Sequence, residues 1–129
     1  MKNWVIGVWL LLLATPVASH ELTPTYPKLQ PSYVSGLLTA KLNIFNARRD
    51  IEYYEIGVFT FDWTPVPFAT TSKILKVPHG TGYSFDIFVR ERDRDLAVYV
   101  CTLSKLRSDK AQNAIISSKV CSKFGGVPS

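Results

Sequence analysis

The stretch Leu38-Thr39-Ala40-Lys41-Leu42-Asn43-Ile44-Phe45 repeats with a period of two. A β-strand sends successive side chains to opposite faces, so Leu38, Ala40, Leu42 and Ile44 form one face, turned toward a core. Residues 46–50 (NARRD) then read as a polar turn, and residues 53–63 (YYEIGVFTFDW) as a strand rich in aromatic and β-branched residues. Pro65 and Pro67 end that strand, because proline cannot donate to a ladder. Further strands are expected over 73–77, 83–90, 95–103 and 113–124, with turns at 78–82 and around Ala111. Upstream, 22–35 holds Pro24, Pro27 and Pro31 and reads as an irregular edge strand. About seven short strands, with no convincing helix, predict a single immunoglobulin-like antiparallel β-sandwich.

The chain does not begin with that domain. Met1-Lys2, the apolar run Val5 to Ala14 and the small residues Val17-Ala18-Ser19 have the parts of a secretory signal peptide. The run is too short to span a bilayer, which takes about 20 apolar residues. Cleavage is expected after Ser19, giving a signal peptide over 1–19, a sandwich domain over 20–129, a periplasmic or extracellular location and no membrane span after cleavage.

The net charge of +5 falls to +4 when Lys2 is lost, and the basic residues are scattered along the sequence. No nucleic-acid partner is expected. The densest charged run, Arg90 to Asp95, alternates in sign and reads as a solvated turn. With 47% hydrophobic residues the chain is far too apolar to be disordered.

Cys101 and Cys121 have no zinc-like or redox spacing, and export lets a disulfide persist. If the last two strands form a hairpin centred on Ala111, Cys101 faces Cys121, Val98 faces Phe124 and Thr102 faces Val120. A staggered pairing would also allow the bridge. Alternation then sends Val98, Val100, Ile116, Val120 and Phe124 to one face and the cysteines to the other.

Residues 53–63 carry an apolar surplus. Tyr54, Ile56 and Val58 make the inward set, yet Phe59, Phe61 and Trp63 occupy the opposite face. Coverage by the chain's own loops explains this pattern, and so does a partner-binding surface. Partner contacts are assigned to Phe59, Phe61, Trp63, Ile116 and Val120.

Reactive groups are sparse. There is no Gly-rich phosphate loop and no nucleophile elbow, and Asp62, Asp86, Asp93 and Asp95 fall at strand ends or on polar faces. No enzyme activity and no cofactor are expected. Cleavage after Ser19 would leave His20 with both an amine and an imidazole for copper, and His79 is the other histidine that could join it. A further alternative is an adhesive or carbohydrate-binding module using exposed Tyr and Trp.

Asn46, Tyr54-x-Ile56-x-Val58, Asp62, Phe68, Ile74-x-x-Val77-Pro78-x-Gly80, Phe85-x-Ile87-x-Val89 and Tyr99-x-Cys101, taken together, resemble the first domain of periplasmic pilus-assembly chaperones. The likeness runs from about Leu38 to Leu103. It implies a periplasmic protein that binds another chain by strand addition at a sheet edge. Such chaperones carry a second domain and hold a subunit's terminal carboxylate with an Arg on the first strand and a Lys on the last. Here no Arg precedes Arg48, and Lys28 and Lys119 are the only loosely comparable positions. The resemblance therefore implies a single-domain relative or accessory protein in assembly of a surface or envelope structure.

Overall fold

The computed structural model describes residues 20–105 and 118–125. The expected signal peptide over 1–19, the expected turn around Ala111 and the partner-contact candidate Ile116 lie outside the described residues. The rest forms eight strands: β1 His20–Thr23, β2 Gln30–Pro31, β3 Leu37–Asn46, β4 Tyr53–Phe59, β5 Ile74–Lys76, β6 Gly82–Arg90, β7 Tyr99–Lys105 and β8 Lys119–Lys123. No α-helix occurs among the described residues. One antiparallel sheet has β3 at its centre, with β1 and β2 along one edge and β6 along the other; the second runs β5-β4-β7-β8.

The alternation of β3 decides which residues are inside. Leu38, Ala40, Leu42 and Ile44 are buried, and β6 answers with Phe85, Ile87 and Val89. The second sheet contributes Tyr54, Ile56, Val58 and Val100 to the same cluster. The register of the last hairpin is Cys101↔Cys121, Thr102↔Val120 and Tyr99↔Lys123, as expected for a centre at Ala111. A disulfide joins Cys101 to Cys121.

Four expectations are corrected. Strand β4 stops at Phe59 rather than Trp63, because the chain reverses through a tight hairpin. There Thr60 N donates to Thr64 O (2.9 Å), Val66 N donates to Val58 O (2.8 Å), and the Thr60 and Thr64 hydroxyls both bond to the Asp62 carboxylate. Second, β7 begins at Tyr99 rather than residue 95, so Ala97 points inward while Leu96 is exposed. Third, the run 90–95 is not a wholly solvated turn: residues Glu91–Asp93 form a 3-10 turn, and Asp93 is buried against Arg90 at 2.7 Å. Fourth, the proline-rich start is two short strands separated by an excursion: β1 pairs with β3, Thr25–Pro27 crosses to β8, and β2 returns to β3.

Candidate protein-binding surface

One end of the sandwich is held by polar groups within the core. Asn46 is the next inward residue after Ile44 on β3 and is fully buried. Its Nδ2 donates to Ile51 O (2.7 Å) and Val77 O (2.8 Å), while Oδ1 accepts from Tyr54 Oη (2.6 Å) and Arg48 N (2.9 Å). Those four bonds use the full capacity of the amide. Burial pushes the Tyr54 phenol up to about 12, so it stays a neutral donor. Arg48, read from sequence as part of a polar turn, is buried and binds Asp50 through Nε and Nη2 (2.9 and 2.5 Å). That bond holds the Asp50 carboxyl below its usual value.

His20 belongs to the same cluster. Its ring lies 4.5 Å from the Tyr54 ring. Nε2 meets Thr102 Oγ1 (2.8 Å) and Thr102 O (3.1 Å), and Nδ1 meets Ser118 Oγ (2.9 Å). A carbonyl only accepts, so Nε2 carries the proton of the neutral ring and Nδ1 accepts from Ser118. His20 thereby ties β1 to β7 and to the residue just ahead of β8. Burial lowers its pKa from 6.5; the Thr102 carbonyl opposes that shift, and the Arg48 charge adds to it. The unfolded chain thus binds a proton more readily than the folded one. Stability contributed by the neutral ring is complete above about pH 6.5 and is lost as pH falls through the folded value. Thermal unfolding followed between about pH 7 and 5 should show a falling midpoint, with a shallower fall in His20→Gln.

Of the copper candidates, His20 has both ring nitrogens engaged by hydroxyl-bearing residues, and His79 Nδ1 lies 3.1 Å from Arg48 O. Among the described residues no three His, Cys, Asp or Glu side chains group to hold a metal.

The outer face of the second sheet is aromatic. Register puts Tyr53, Glu55, Gly57 and Phe59 of β4 beside Lys105, Leu103, Cys101 and Tyr99 of β7. The Phe59 ring folds back over Gly57; a Cβ there would come within 2.7 Å of it, so only glycine leaves the ring this position. Trp63 takes a left-handed backbone (φ 69°), and its indole stacks on Tyr99 at 4.4 Å. Phe61 projects into solvent. The ammonium of Lys119 sits 4.1 Å from the Trp63 ring centre and 4.8 Å from that of Phe59. The surplus seen in sequence is therefore split: Phe59 and Trp63 form a partly covered cluster, and Phe61 stands apart. Val120 is not on this face but packs, partly buried, against the core.

The edge of β8 completes the site. Ser104 N donates to Ser118 O and Phe124 N to Val98 O, so the even-numbered residues of β8 face β7. Odd-numbered residues face the opposite way, where Lys123 N donates to Thr25 O (3.1 Å) and Gly125 N to Pro27 O (2.9 Å). Those bonds cover the C-terminal half of the edge. Among the described residues, the backbone groups of Lys119 and Cys121 on that edge have no partner strand.

The chain has the fold of the E. coli chaperone DraB. The two superpose with a TM-score of 0.60 at 18% sequence identity, over 84% of this chain and 54% of DraB. This chain thus spans about half the length of DraB, and the expected immunoglobulin-like architecture is the one found. No protein-family model and no curated protein matches the sequence. Lys28 and Lys119, the two loosely comparable basic positions, line different clefts, Lys28 beside β3 and Lys119 on the outer face of the second sheet.

Proposed function

We propose that this chain is an exported, non-enzymatic β-sandwich that binds another polypeptide by strand addition, as a chaperone-like or accessory protein in assembly of a surface or envelope structure. The observation that carries the reading is the open stretch of the β8 edge at Lys119 and Cys121, on a fold shared with a chaperone. An extended segment laid there gains main-chain hydrogen bonds, and its alternate side chains meet the sandwich surface. Export follows from the signal-peptide pattern of 1–19 and suits the disulfide. Among the described residues no helix is long and apolar enough to cross a membrane.

Proline at residue 119 tests the reading. Lys119 N points to the open edge rather than to β7, so Lys119→Pro removes an outward donor and leaves the β7 ladder intact. Affinity capture from the exported fraction should recover a partner with the unaltered protein and lose it with Lys119→Pro, well beyond any loss in Lys119→Gln. Equal recovery by both variants would contradict strand addition at β8.

A further inference from the structure

The sequence scatters its basic residues, but the fold collects them. Register turns Lys76 of β5, Lys105 of β7, and Lys119 and Lys123 of β8 to the outer face of the second sheet, where Glu55 is the only acidic residue on the strands. Glu55 is taken up by Lys105 at 3.4 Å. On the outer face of the first sheet, Lys41 and Arg90 are balanced by Asp86 and Glu21. The sandwich is therefore electrically two-sided.

The basic face is also the grooved one. A half-open groove of about 330 Å³ lies over Gly57 and Cys101, walled by Phe59 and Phe68. Lys119 caps the first wall, and Lys73 lies 5.2 Å from the Phe68 ring centre on the second. Among the described residues neither lysine makes an ion pair. A ring holds an ammonium in place for about 1 kcal/mol at an exposed site, so the charges remain available to an anion. The volume suits one or two side chains, at the lower limit of small ligand sites.

We propose that this face docks an acidic polypeptide segment, which lays an apolar side chain in the Gly57 groove and carboxylates against Lys73 and Lys119. The proposal rests on the protein-binding reading above and names the chemistry of the partner. Two observations select a polypeptide from among polyanions. The face carries lysines and no arginine on its strands, whereas planar phosphate recognition favours the arginine fork. Lys119 also belongs to the open stretch of the β8 edge, whose free amide and carbonyl groups only another backbone completes in alternation.

Fluorescence anisotropy with a labelled decapeptide alternating Glu and Leu, titrated with the purified protein, tests this. Binding should weaken with added salt, and about tenfold or more in Lys73→Glu/Lys119→Glu. The milder Lys73→Gln/Lys119→Gln should fall between, and Lys41→Glu on the other sheet should bind as the unaltered protein does. Equal binding of a Lys-Leu decapeptide, or no change in the double variants, would overturn the proposal. Tighter binding to a heparin oligosaccharide or to phosphatidylglycerol vesicles than to the peptide would overturn the polypeptide assignment. The two readings fail separately. A partner captured from the exported fraction and still held by Lys73→Glu/Lys119→Glu leaves strand addition standing and removes the acidic docking face. Capture of no partner removes strand addition, and the decapeptide titration still decides the face.

Discussion

Asn46→Ala should destabilise the protein by on the order of 4 kcal/mol, read as a fall in the urea midpoint at unchanged slope. The side chain is fully buried and joins four groups from four parts of the chain: the carbonyls of Ile51 and Val77, the Tyr54 hydroxyl and the Arg48 amide. Truncation leaves all four without a partner in a site closed to solvent. Each buried orphan costs about 1–3 kcal/mol, and local relaxation recovers part of that. Loss of the Tyr54 anchor also loosens the surface against which His20 packs. Asn46→Asp should fare little better, since it keeps the acceptors, loses both donors and buries a charge. A loss below about 1 kcal/mol for Asn46→Ala would show that the polar cluster does not hold this end of the sandwich.

Removing the disulfide should cost about 3 kcal/mol. Cys101 and Cys121 are directly opposed, with Cα atoms 4.0 Å apart and a sequence separation of 20. The link stabilises chiefly by restricting the unfolded chain, and a loop of this length corresponds to about that value. The bridge also lies beside Gly57 under the aromatic cluster, so it floors the groove as well as fastening the hairpin. Cys101→Ala/Cys121→Ala should therefore unfold at lower denaturant. The same shift should appear in the unaltered protein under a strong thiol reductant, and no further shift when the double variant is reduced. A reductant effect that persists in the double variant would contradict this assignment.

The backbone plan was legible because burial here follows period two with few exceptions. The inward sets of β3, β4 and β6 are those the alternation names, and opposition of the two cysteines follows from the hairpin centre. The sequence pattern misleads where a polar residue serves the core. Asn46 lies two positions beyond Ile44 and so continues the inward face, but its polarity suggested the start of a turn. Arg48 looked like solvated charge and is buried, its guanidinium reaching out to the exposed Asp50 carboxylate and its backbone amide bonded to Asn46. His20 looked like a free terminus and is wedged between the sheets. These partners lie as far as 98 residues away in sequence, beyond the reach of local patterns. The aromatic surplus was real, but its geometry depended on the reversal at Thr60–Thr64, which removed Phe61 and Trp63 from the strand. The basic face is not legible in the sequence for a related reason: charge adds up across strands, and only the register reveals the sum.

Amide hydrogen exchange on the complex recovered from the exported fraction, compared with the free protein, tests the central claim most directly. The account predicts slowed exchange at the backbone amides of Lys119 and Cys121, with little change at Lys123 and Gly125, already bonded to Thr25 and Pro27. A complex in which Lys119 and Cys121 exchange as fast as in the free protein, while protection appears on another edge or face, would contradict strand addition at β8.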